Sequence, residues 1–268
     1  MKLLIYVFLW LLTFSACTSK NESPVKKAKK SDTVTKPKST SLIQYAKDKE
    51  PEIKPKNPIT NDNVETRLLE YGNKNTETIV DIYTTKGKIR ARLYKSTPLH
   101  RANFLLMTKK GFLNGSVFTR VAPGFIAQSG GTFDEDHAEI KKTIGRYTIP
   151  SEMSHKNIHK QGAIAASRRY DNNPDKRSDP YAFYFVEGTL YNEPTLKVYE
   201  RENNYKYTKT QLDYYLEKPG AAHLDGQHTV FGEIISGYSI VEKITSVKTD
   251  SRDWPLKDIF IDSVRVIR

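Results

Sequence analysis

Cysteine occurs once in this sequence, at position 17. A single thiol excludes an intramolecular disulfide and a cysteine-based zinc cluster. Apolar residues are also scarce, at 37% of 268, so part of the chain is expected to stay outside any packed core. There is no glycine-rich phosphate loop and no Gly-x-Ser-x-Gly elbow, and with them go the common marks of nucleotide handling and serine hydrolysis. No internal repeat is visible. The apolar run Leu3 to Leu12 is too short for a spanning helix. Acidic residues are outnumbered 31 to 43, a formal charge of +12. That balance favours anionic partners such as lipid headgroups, glycans or nucleic acid, and charge alone does not choose among them.

What is present begins with "MKLLIYVFLWLLTFSA". Lys2, the apolar run, and then Ser15 and Ala16 form the three-part layout of a secretory leader over residues 1–16. Cys17 follows directly. The segment "FSAC" resembles the lipobox of bacterial lipoproteins, with Phe14 where leucine is usual. That resemblance implies cleavage before Cys17, lipidation of its thiol, and an anchored protein of the bacterial cell envelope, on the periplasmic or outer face. Losing Lys2 with the leader leaves a formal charge of +11. Residues 17–60, with "KNESPVKKAKKSDTVTKPKSTS" and "KDKEPEIKPKNP", are rich in Lys, Ser, Thr and Pro. They are read as a disordered basic tether. Such a tether gains roughly 1 kcal/mol per lysine beside an anionic membrane. It lacks the interleaved aromatics of a single-strand binder, so no nucleic-acid partner is expected.

Order is expected from about 61 to 268. "NDNVETRLLEYGNKN" reads as a short helix ending near Gly72. "ETIVDIYTTKGKIRARLY" reads as a hairpin turning at Lys86-Gly87, with Ile89, Ala91 and Leu93 alternating against Arg90, Arg92 and Tyr94. "TPLHRANFLLMTKKG" has Thr97 to cap, Pro98 at the first helical position and Gly111 to stop it. Short strands are expected at 116–121, 125–128, 163–167, 183–186 and 229–234. A helix over "GYSIVEKI" and a strand over "DIFIDSVRVI" close the chain. Residues 187–222 interrupt the pattern and read as an inserted loop. It carries one short helix, where Thr208 and Gln211 fit a capping box.

Common chemistries find little support. His155 and His159 in "HKNIH" have a ligand spacing but no carboxylate partner, and their surroundings read as loop. His137 sits in the acidic stretch "FDEDHAE", read as a solvated loop. No metal and no cofactor is expected. No nucleophile–base pair is evident.

One set of motifs is specific. "FTRVAPGFIAQSGG", "GAIAAS", "AFYFV" and "HLDGQHTVFGE" stand in the order and spacing of the cyclophilins, the cyclophilin-type peptidyl-prolyl cis-trans isomerases. The helix "TPLHRANFLLM" stands where members carry a similar Pro…Asn-Phe helix. The resemblance covers roughly Glu77 to Arg268. It implies a mainly β fold, a closed eight-stranded antiparallel barrel capped by two α-helices, with the site on the outer surface. By this match Arg120, Gln128 and His228 are the catalytic residues. Phe125, Ile126, Tyr184 and Leu224 form a socket for the proline ring, beside His223. Ser167 and Arg168 line the groove for the preceding residue. The expected partner is a proline-containing polypeptide, the expected state a monomer, and the expected role the folding of exported or envelope proteins.

The chain departs from the family pattern at Thr119 (usually His), Ser129 and Gly131 (Gly and Asp), Arg168 (Asn), Ala182 (Gln) and His223 (often Trp). These departures keep a second expectation open: a catalytically weakened module that binds proline-containing chains. A third, less specific one is an interaction protein that works through its basic tether.

Overall fold

The computed structural model describes residues 58–132 and 135–267. The expected leader, Cys17 and the tether up to residue 57 lie outside the described residues. Ile59–Thr60 (β1) pairs in parallel with Gly145–Arg146 (β6). Between them in the chain lie helix α1 (Val64–Lys74), strands β2 (Ile79–Thr84) and β3 (Gly87–Leu93), helix α2 (Pro98–Lys109), strands β4 (Val117–Ala122) and β5 (Ile126–Gly131), and helix α3 (Glu135–Ile144). Then follow β7 (Ala163–Ala166), β8 (Phe183–Val186), helices α4 (Glu193–Glu202) and α5 (Lys209–Glu217), β9 (Val230–Ser236), helix α6 (Ser239–Thr245) and β10 (Ile261–Val266).

Eight strands form one antiparallel sheet in the order β10-β2-β3-β9-β7-β8-β5-β4. Bulges in four of these seven pairings add local twist. One of them is the break at Arg90/Ala91 where β3 meets β9. The sheet curls into an open half-barrel, which corrects the closed barrel expected from the sequence. Among the described residues no ladder joins its end strands. They approach through one isolated bridge, Val117 to Phe260, and a few loop hydrogen bonds, such as Gly115 N–H to Ile261 O at 2.7 Å.

Alternation along the strands builds two apolar layers. Ile164, Ala166, Phe183, Phe185 and Ala127 join the main core, with Leu99, Ala102, Leu105 and Met107 of α2 and Val241 and Ile244 of α6. Their neighbours Ala163, Ala165, Tyr184, Val186 and Ile126 point to the opposite face, where they meet Leu224, Val230 and Phe125. Every residue of β7 and β8 is buried, which is why both strands read as unbroken apolar runs.

The inserted segment folds as two helices rather than one. Asn192 caps α4 by accepting from Thr195 N–H. Thr208 and Gln211 form the expected capping box on α5, with Thr208 N–H donating to Gln211 Oε1 at 2.9 Å. Leu196, Tyr205, Tyr207 and Tyr215 pack into a third cluster of its own. From Glu135 on, the acidic stretch around His137 is helix α3, with the imidazole buried and 2.7 Å from Asn114 O.

Candidate functional site

The β4–β5–β8 register sets three polar or aromatic side chains in a row on the outer face. Arg120 lies opposite Gln128, and Gln128 lies opposite Tyr184, so neighbours in this row are within side-chain reach. The β4–β5 turn closes with Phe125 N–H donating to Ala122 O at 3.0 Å. It brings the Phe125 ring beneath the Arg120 guanidinium, 5.5 Å from its centre. Arg120 Nε–H donates to Asp253 Oδ2 at 3.0 Å, at a side-chain exposure of 46%. Both Nη nitrogens are without a protein partner among the described residues.

Beside this cation lies an apolar cluster. Ile126, Tyr184 and Leu224 are buried and Phe125 is half-buried against them. His223 closes one side, its ring 4.9 Å from Phe125 and 5.7 Å from Tyr199 of α4. Burial holds the His223 imidazole below its usual pKa, favouring the neutral ring that such a wall needs. The expected socket residues are thus brought together with Arg120 and Gln128.

His228 is held by its neighbours on both ring nitrogens. Its Nδ1 lies 3.0 Å from Ala166 O and its Nε2 lies 2.8 Å from Tyr170 Oη. Burial first, then the nearby His159, Arg168 and His223, push its pKa down to about 3. The ring is therefore neutral near pH 7, donating from Nδ1 and accepting the Tyr170 hydroxyl at Nε2. Arg168 reaches the same corner. Its Nε and Nη2 donate to the carbonyl and side-chain oxygens of Gln227 at 2.7 and 3.0 Å, and its guanidinium lies 4.1 Å over the Tyr170 ring. Lys176 Nζ adds a bond to Gly226 O at 2.7 Å. Loop 168–177 is thereby strapped to loop 225–228. Ser167 meets the site through its backbone, donating to Ala182 O and accepting from Asp179 N–H.

The departures from the family pattern fit one another. Gly130 has φ +132°, and a Cβ there would meet Tyr181 O at 2.3 Å and Ala182 Cβ at 2.8 Å. A Cβ on Gly131 would meet Thr119 Cγ2 at 2.2 Å. Thr119 thus fills the space a side chain at 131 would need, and Ala182 lies flat against the glycine turn. Ser129 is fully buried and donates to Val117 O at 3.1 Å.

Sequence reasoning did not single out Tyr170, Asp253 or Asp225, and it weighed His159 only as a metal ligand. Tyr170 lies in the charged run "RRYDNNPDKR", where no periodicity distinguishes it. His159 is buried and bonded to Asp225 at 2.7 Å.

Comparison with known proteins gives a consistent result. Residues 79–266 match the family model described as cyclophilin type peptidyl-prolyl cis-trans isomerase/CLD. A peptidyl-prolyl cis-trans isomerase of Acinetobacter baylyi is 25% identical over 194 residues, covering 70% of this chain and 85% of the relative. A Staphylococcus saprophyticus relative is 27% identical over 187 residues, covering 69% and 90%. The crystal structure of a Cryptosporidium parvum cyclophilin type peptidyl-prolyl cis-trans isomerase superposes with a TM-score of 0.50 at 15% identity. It covers 72% of this chain and 98% of that one, a likeness of fold.

Proposed function

The chain belongs to the cyclophilin-type peptidyl-prolyl cis-trans isomerase family, and from that premise we propose that Arg120 drives rotation about X-Pro bonds in exported or envelope polypeptides. The planar amide resists rotation by ~18–20 kcal/mol. Twisting it removes resonance and makes the proline nitrogen a better hydrogen-bond acceptor. A guanidinium held beside the proline ring then binds the twisted state more strongly than either planar one. Arg120 suits this role because it stays charged, is braced at Nε by Asp253, and keeps its Nη donors for the ligand. Phe125, Ile126, Tyr184, His223 and Leu224 receive the ring. Gln128, opposite Arg120 in register, offers a second donor. No covalent step and no cofactor enter this mechanism.

The observation that carries the reading is the pairing of an exposed arginine with an apolar cluster on the outer face of the sheet. The test is isomerisation of an Ala-Pro peptide by the full chain. Arg120→Ala is expected to lower kcat/KM by at least about tenfold, ~1.4 kcal/mol of transition-state stabilisation. Equal rates for wild type and variant would sink the enzyme reading. A second reading, a binding module with weakened catalysis, is favoured by the His228–Tyr170 contact, which occupies a ring nitrogen otherwise open to substrate. It predicts peptide binding in NMR titration without exchange between proline isomers.

The lipoprotein reading of Cys17 belongs to the same proposal. A lipidated N-terminus would hold the isomerase at the envelope membrane, where newly exported chains fold. Lipid chains supply ~0.8 kcal/mol per buried CH₂.

A further inference from the structure

The short turn Ala222–Leu224 places His223 and Leu224 in the socket. Three side chains of the inserted segment bind this turn and the residue after it. Tyr207 O–H donates to Ala222 O at 2.8 Å, Asn203 Nδ2–H to His223 O at 2.9 Å, and Tyr215 O–H to Asp225 Oδ2 at 2.6 Å. The polar contact does not stop at Asp225. Its Oδ1 accepts the backbone N–H of His159 at 2.8 Å and faces His159 Nδ1 at 2.7 Å, and His159 Nε2 lies 3.1 Å from Tyr184 Oη.

The direction of each bond follows from donor chemistry. A carboxylate accepts, so His159 donates from Nδ1 to Asp225. Its Nε2 meets the Tyr184 hydroxyl on the other side of the ring. Burial holds both Tyr184 and Tyr215 well above the usual tyrosine pKa, so both keep their protons. Tyr215, Asp225, His159 and Tyr184 are each no more than 2% exposed. A buried polar chain of this kind is costly if any member lacks a partner, because water cannot substitute. Here every member has one, and the chain runs from helix α5 of the insertion to the socket wall.

We propose that Tyr215, Asp225 and His159 are positioning residues for the isomerase. Through them the 187–222 insertion orients the Tyr184 ring against the proline. The proposal rests on the isomerase reading of the same groove.

A double-mutant cycle on the full chain tests it, with Tyr215→Phe, Tyr184→Phe and the pair. Both substitutions keep the ring and remove only the hydroxyl. Tyr215→Phe is expected to lower kcat/KM about fivefold to tenfold. In the Tyr184→Phe background the same change is expected to alter kcat/KM less than about twofold, because the connection is already cut. A purely structural network would behave otherwise. If Tyr215→Phe lowered the melting temperature at unchanged kcat/KM, or cost the same factor in both backgrounds, the proposal would be overturned. Failure of the isomerase reading is recognised separately, by wild type and Arg120→Ala being equally slow. In that event the Tyr184 ring resonances still report on the connection. They are expected to shift in Tyr215→Phe, and unmoved resonances would overturn the positioning role.

Discussion

His228 shows how one side chain can be moved from one role to another by its neighbours. The motif resemblance implies that it bonds the substrate backbone or orients the arginine. In this fold its two nitrogens serve Ala166 O and the Tyr170 hydroxyl. The physical consequence is a pH dependence of stability. Its folded pKa is about 3, while an unfolded histidine titrates near 6.5. Above pH 6.5 the ring is neutral in both states and contributes no slope. Below that, the unfolded chain takes up a proton that the folded chain refuses, so stability falls as the pH drops toward 3. Between pH 6.5 and pH 5 the loss attributable to this ring approaches about 2 kcal/mol. Asp81, held at about 2 by Arg90 and Lys88, does not titrate in that window. Urea midpoints across it should show a shallower slope for His228→Asn than for wild type. Parallel slopes would assign the acid sensitivity to other groups.

At the scale of elements, the end of β5 is the tightest point of the groove. Gly130 combines a positive φ with a Cβ position only 2.3 Å from the Tyr181 carbonyl. An alanine there must displace the backbone leading into β8 as well as adopt a strained conformation. Gly130→Ala is expected to cost about 3 kcal/mol or more in chemical denaturation. A wild-type midpoint would mean that the Tyr181–Ala182 backbone yields freely. The elements around this point differed in how legible they were. The β2–β3 hairpin, α2 with Pro98 at its start, and the α5 capping box were readable because alternation, a fixed proline φ and paired cap residues are local signals. Helix α3 was not, because it is mostly charged and buries only His137 and Ile144. Helix α4 buries Leu196 alone, too little for a periodic stripe. Whether the sheet closes depends on β4 meeting β10, over a hundred residues apart, and no local pattern encodes it. In the site, Arg120, Gln128 and the socket residues could be matched by motif. Tyr170 and the Asp225–His159 pair came together only through folding of distant loops.

For the whole molecule, charge divides unevenly along the chain. Residues 58–268 hold 31 basic and 26 acidic residues, whereas the first 57 hold 12 and 5. If cleavage removes residues 1–16, and Lys2 with them, 41 residues keep 11 lysines against 5 carboxylates. The smaller part therefore carries slightly more net charge than the much larger part from residue 58 on. A catalytic groove gains nothing from that placement, since neither Arg120 nor the socket lies there. An anionic membrane does, because each lysine adds roughly 1 kcal/mol of attraction at low salt and less as salt rises. Electrostatics of this size is reversible, so a lasting attachment needs the second signal that Cys17 would provide. The decisive measurement is the mass of the mature N-terminal peptide from the membrane fraction of the cells that make the protein. It is expected to begin at Cys17, to carry acyl chains, and to stay with the membrane through a high-salt wash. A free Cys17 thiol, or a mature terminus at another residue, would leave only the basic segment to hold the isomerase at a surface, and salt would then release it.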